Sequence, residues 1–181
     1  MVIAAATLFR CASLGAQPVE RSLALGVVLP AGDYARLRTI GPAVRAAVAF
    51  GDLETRRVRL RLELEGVWLR SRGARPGVAN SDPGSLTALS VVATGVFGPR
   101  SRGGVAPYVI AGVALQSLTI PGTRNPYGST LGLRVGVGLQ RHVGERSVFF
   151  EIAPHLALTD FGTGQDFGAA AYVPLVVGFR F

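Results

Sequence analysis

The residue types that could do chemistry in this chain are mostly guanidinium and carboxylate. Arg45, Arg59, Arg61, Arg134 and Arg180 stand against Glu63, Glu65 and Glu151. Arginine and carboxylate form forked, charge-assisted hydrogen bonds, so the chemistry they suggest is ion pairing or anion recognition. Acid–base or metal chemistry has less to work with. The only imidazoles are His142 and His155, and the single cysteine is Cys11. No cluster has metal-ligand spacing, so no metal or cofactor is expected. His155 shares an alternating face with Glu151, but four residues along a strand span about 13 Å, too far for a direct hydrogen bond. Gly136-Val137-Gly138 has no following helix and so lacks the means to cradle a phosphate. Glycine there is expected to relieve crowding instead.

All 19 basic residues are arginine, and the net charge is +8. They are spread along the chain with no basic helix or stripe, which argues against nucleic-acid binding.

The elements that must position these side chains are strands. The alternation predicts eight, over 22–30, 42–51, 57–70, 86–97, 107–117, 129–141, 147–158 and 169–181. The third is the clearest: Val58, Leu60, Leu62, Leu64 and Trp68 take one face, and Arg57, Arg59, Arg61, Glu63 and Glu65 the other. The sixth opposes Leu131, Leu133, Val135, Val137 and Leu139 to Gly132, Arg134, Gly136, Gly138 and Gln140. The seventh opposes Phe150, Ile152, Leu156 and Leu158 to Glu151, Ala153, His155 and Thr159. The last runs Val173, Leu175, Val177, Phe179, Phe181 on one face. Strands two, four and five alternate less cleanly, and their facing stays open. Each strand is near or above the 9–11 residues a tilted strand needs to cross a bilayer.

Composition agrees with a membrane barrel. Hydrophobic residues make up 49% and charged residues 17%, against about 25% charged in soluble domains. No apolar run reaches the ~18 residues of a spanning helix. Connections alternate between long (31–41, 71–85, 118–128, 159–168) and short (52–56, 98–106, 142–146), as in outer-membrane barrels with long external loops and short periplasmic turns. Residues 1–16 resemble a secretory signal peptide, apolar over 2–9 and offering Ala16 for cleavage before Gln17. Residues 17–181 then form one domain, and Cys11 leaves with the leader.

Gly26-Val27-Val28-Leu29-Pro30-Ala31-Gly32-Asp33-Tyr34, Ala106-Pro107-Tyr108-Val109-Ile110-Ala111-Gly112-Val113 and Val177-Gly178-Phe179-Arg180-Phe181 resemble segments of the small bacterial outer-membrane barrels, the OmpA/OmpX/OmpW-like superfamily. The resemblance implies an all-β, eight-stranded antiparallel up-and-down transmembrane barrel in the outer membrane, surrounded by lipid and monomeric. Both termini would be periplasmic. Val177, Phe179 and Phe181 would act as the signal read by the barrel-assembly machinery. Family members serve as small channels, adhesins, stress-related membrane proteins or anchors.

In such a barrel Arg45, Arg59, Arg61, Glu63, Glu65, Arg134, Glu151, His155 and Arg180 form a lumen network. An eight-stranded interior is just wide enough to be filled by side chains, so the network either plugs the barrel or makes an arginine-rich constriction for small solutes. A turn centred near Glu54 predicts Arg45 opposite Glu63. Trp68, Phe97, Tyr108, Phe149, Tyr172 and Phe181 are candidates for interface girdles, though some could pack inside. The main alternative is a soluble or secreted barrel with its apolar face inward, binding a small apolar ligand. A third reading, a lipid-modifying enzyme, has little support. Lipid A deacylase barrels resemble His-x-Ser-Asn locally, and neither His142-Val143-Gly144 nor His155-Leu156-Ala157 matches. No catalytic residue is therefore expected.

Overall fold

Period-two alternation places successive side chains on opposite faces of an extended chain. In the computed structural model it yields β1 (Val19–Gly32), β2 (Arg38–Thr39), β3 (Gly41–Phe50), β4 (Val58–Ser71), β5 (Leu86–Phe97), β6 (Val105–Thr119), β7 (Ser129–Val143), β8 (Arg146–Ile152), β9 (His155–Phe161) and β10 (Ala170–Arg180). The structure describes residues 19–32, 35, 38–51, 58–72, 85–98, 104–119, 129–144, 146–161 and 170–181. The expected leader over 1–16, Cys11, the turn at Glu54 and most of the long connections lie outside these residues.

The segments close into one antiparallel barrel of eight staves. Neighbours follow chain order from β1 through β10, and β10 pairs back onto β1 from Ser22↔Arg180 to Gly32↔Ala170. Arg21 and Phe181 extend that seam, each N–H donating to the other's carbonyl at 3.0 and 2.9 Å. Two staves are interrupted. β2 and β3 both pair with β4. β8 and β9 both pair with β7 and β10. The second break falls at Ala153-Pro154, where proline has no N–H to offer the ladder. The Ala153 N–H still reaches Pro174 O at 3.2 Å, and Pro154 O accepts from Val135 at 3.3 Å, so the stave stays continuous. Further on, Leu131 pairs with Thr159 but Gly132 with Ala157, a bulge that slips the register near the barrel end.

The packing direction is apolar outward. Among the described residues, 27 large hydrophobics are exposed, including Leu23, Leu25, Leu62, Val91, Val113, Val135, Phe150 and Phe179. Inward positions hold Arg45, Arg59, Arg61, Glu63, Glu65, Arg134, Glu151 and Arg180, all buried. Leu62 and Glu63, adjacent in sequence, are 39% and 3% exposed, so the facing read from β4 is correct. The arrangement is the inverse of a soluble barrel, where the apolar face lines the interior. The staves with unclear alternation are now resolved: Ala43, Arg45, Ala47 and Ala49 point inward from β3, Ser90 and Thr94 from β5, and Tyr108 and Gln116 from β6. Alternation was faint on β5 because Val92 and Val96 are apolar yet inward, opposite an outer face that is apolar too.

One expectation is corrected and one open alternative is resolved. Arg45 pairs with Glu65, and Glu63 with Ala47. The ladder is displaced by two residues from the register expected for a turn near Glu54. An even displacement preserves facing, which is why both side chains still point inward. Among the six candidate girdle aromatics, Tyr108, Phe149 and Tyr172 are buried inside the barrel, whereas Phe97 and Phe181 are exposed on its outer surface. Nearness to a strand end does not decide facing; parity does.

Candidate functional site

β4 contributes four inward charges in a row, because Arg59, Arg61, Glu63 and Glu65 occupy every second position. β3 brings Arg45, β7 Arg134 and β8 Glu151 to the same depth. Arg45 lies at the centre. Its Nε and Nη2 donate to Glu65 Oε2 at 3.0 and 2.8 Å, its Nε lies 3.2 Å from Glu63 Oε2, and its Nη1 donates to Glu151 Oε1. Arg61 donates from Nε to Glu63 Oε1 at 3.0 Å, and from Nη1 and Nη2 to the two oxygens of Glu151 at 2.9 and 3.2 Å. Arg134 Nη2 donates to Glu65 Oε2 at 2.7 Å. Thr94 Oγ1 donates to Glu63 Oε1 at 2.8 Å and Tyr108 Oη to Glu151 Oε2 at 3.0 Å.

Three arginines therefore meet three glutamates, and the cluster is formally neutral. Neutrality matters because a buried charge costs several kcal/mol of desolvation, offset only by close partners. Tyr108 reaches Glu151 because Gly138 faces it. A Cβ on Gly138 would lie 2.2 Å from the tyrosine ring.

Toward the rim where Arg21 meets Phe181, a second group forms. Arg59 Nη1 donates to Glu20 Oε2, and Arg180 Nε lies 3.4 Å from Glu20 Oε1. Arg180 Nη1 also donates to Gln140 Oε1. Its guanidinium sits 4.9 Å from the Phe149 ring centre and 5.0 Å from that of Tyr108, within cation–π range. Two cations share one carboxylate, leaving an excess of one positive charge.

Toward the opposite rim the next lumen layer carries neutral polar groups, and the buried Arg38 of β2 lies farther on, opposite Ser71. Gln116 Nε2 donates to Tyr172 Oη at 2.8 Å, Ser90 Oγ lies 3.3 Å from the same oxygen, and Thr130 Oγ1 donates to Gln116 Oε1 at 3.3 Å. His155 stacks on Tyr172 with ring centres 4.8 Å apart. Neither of its ring nitrogens has a hydrogen-bond partner among the described residues. Beyond them Val28, Val67, Leu69, Leu86, Ala88 and Leu118 close the barrel with an apolar layer.

Eight of the nine expected network residues thus fall into two ionic groups, and His155 belongs to neither. Sequence reasoning missed Glu20, whose parity with Ser22 and Ala24 marks it as inward, and the neutral partners Tyr108, Thr94, Gln116 and Tyr172. Val177, Phe179 and Phe181 are outward and about half exposed. His142 Nδ1 lies 3.0 Å from Ser147 Oγ, a serine within reach of a histidine that local sequence did not suggest. Among the described residues no carboxylate bonds to that imidazole.

No family model matches the sequence, and no curated protein matches it. Solved structures do. Neisserial surface protein A matches with a TM-score of 0.63 at 13% identity, over 90% of this chain and 94% of that one. OprG from Pseudomonas aeruginosa gives 0.51 at 10% identity, over 92% and 98%. The N-terminal β-barrel domain of Pseudomonas aeruginosa OprF gives 0.50 at 18% identity, over 91% and 98%. At these identities the likeness is one of fold: the chain has the eight-stranded barrel fold of small outer-membrane proteins.

Proposed function

We propose that the protein is an integral outer-membrane β-barrel with a structural role, its lumen plugged rather than open. One observation carries this reading: an exterior of exposed apolar side chains encloses a buried interior whose central Arg–Glu cluster is charge-compensated. Water offers no gain for an apolar exterior, whereas lipid does, and lipid-facing apolar residues around a polar lumen are the pattern of membrane barrels. The matched folds, which belong to outer-membrane proteins, support it. In this reading Val177, Phe179 and Phe181 are what the barrel-assembly machinery recognises. The rim holding Arg21 and Phe181 faces the periplasm, and the barrel works as a monomer in lipid. The role is structural rather than enzymatic, in keeping with a lumen whose carboxylates are engaged by arginine. Plugging is supported by the side chains filling the interior, since the apolar layer of Val28, Leu69, Leu86 and Leu118 lies above the ionic cluster.

The test is fractionation followed by electrophoresis with and without boiling, then planar-bilayer recording. The reading expects detergent-dependent extraction, a heat-dependent mobility shift and no discrete conductance steps. A protein released without detergent would favour the soluble barrel. Stable anion-selective steps would favour a passage over a plug.

A further inference from the structure

Glu20 sits where an anion would sit. It is the only carboxylate among the described residues that contacts Arg59 and Arg180, and each of its oxygens faces one guanidinium. The two arginine side chains are 2% and 5% exposed, whereas Glu20 is 27% exposed. The cations are thus built into the wall, and the carboxylate is the member that meets solvent. The cleft is lined by Glu20, Ser22, Ala49, Arg59, Arg61, Val96 and Arg180, and the space left in it is about 10 Å³, roughly what one water needs. Arg59 Nε is buried and has no hydrogen-bond partner among the described residues. Both arginines line this cleft, where they carry one more positive charge than Glu20 balances, and Glu20 is the member open to solvent. The Glu20 backbone is held by pairing with Ala49, but its side chain has rotatable bonds and an open side.

We infer that Arg59 and Arg180 form an oxyanion-binding site at this rim of the lumen, and that Glu20 is its tethered occupant. The two guanidiniums contact two oxygens of one group, so the ligand class is an anion with two oxygens on one centre, a carboxylate or a phosphate. Chloride offers a single point of contact and fits less well. A dissolved anion must displace Glu20 to bind, which makes the native site weak and lets it respond only to high anion concentration or to loss of the Glu20 contact. The inference rests on the charge layout of the barrel and not on its membrane location, so its failure leaves the proposed function standing.

The experiment uses the full barrel folded in a non-ionic detergent, with acetate and inorganic phosphate as probes and sodium chloride matched for ionic strength. In Glu20→Ala, acetate or phosphate should raise the melting temperature well beyond the chloride control, with a much smaller rise in the unsubstituted protein. Calorimetry should find phosphate bound at least about tenfold more tightly by Glu20→Ala than by the unsubstituted protein. Glu20→Gln, which keeps the side-chain shape, repeats the measurement should the alanine variant fail to fold. Adding Arg59→Gln to either background should remove the gain. Equal rises in chloride, no tightening and no lipid stabilisation in either Glu20 variant, or tightening that survives Arg59→Gln would each overturn the site. Stabilisation by phosphatidylglycerol in mixed micelles with none by dissolved phosphate would uphold the site and assign its oxyanion to a lipid headgroup at the rim.

Discussion

Arg45 lies opposite Glu65 across the β3–β4 ladder, yet its guanidinium touches Glu63 as well, at 3.2 Å against 2.8 Å for Glu65. The side chain also crosses the lumen to Glu151, a residue 106 positions away. One arginine therefore ties neighbouring and opposite walls of the barrel together.

That geometry sets the first prediction. Glu65→Ala strands Arg45 and Arg134 without their shared acceptor, and removing one partner of a buried pair costs about 3–5 kcal/mol. Arg45→Ala combined with Glu65→Ala should recover part of the loss. Urea unfolding in lipid vesicles of both single variants and the double variant measures the coupling. A coupling near zero would mean that the lumen is wet enough for each charge to be solvated alone.

Leu62 and Glu63 give the second. Leu62→Arg places a charge on the outer surface and should cost about 2–4 kcal/mol if it lies near the bilayer midplane. A soluble barrel with the same exterior would tolerate it. Folding yield and stability in vesicles decide between the two.

Gly138 supplies the third. Its missing side chain admits the Tyr108 ring, and a Cβ there would lie 2.2 Å from a ring atom. Gly138→Ala should destabilise by about 1–3 kcal/mol, the usual range for overpacking. Tyr108→Ala in the same chain should relieve the clash while leaving Glu151 without that hydroxyl donor. Thermal unfolding of the three variants tests the order, and a Gly138→Ala barrel as stable as the parent would show that Tyr108 sits elsewhere.

Salt provides the fourth. Buried pairs are screened far less than exposed ones, so raising sodium chloride from low concentration to 0.5 M should change stability by less than about 1 kcal/mol, the scale of surface pairs. A larger loss would place the Arg–Glu cluster in contact with bulk electrolyte.

Much of the fold was legible in the chain itself, because period two is a local property. Leu62 and Glu63 differ in facing whatever surrounds them, and the charges on β4 had to share one side. That Arg134 and Glu151 lie opposite their strands' apolar face followed in the same way from Gly132–Gln140 and Phe150–Leu158 parity. Alternation carries no sign, so it could not say whether the apolar face looked in or out. It also repeats every two residues, so it could not choose Glu65 over Glu63 as the partner of Arg45; the hydrogen-bonded ladder did. Nor could it foresee that Arg134 meets Glu65 across 69 residues of chain, or that Glu20 joins Arg59 and Arg180. Those contacts exist only once eight staves close, because closure brings walls far apart in sequence within the length of one side chain.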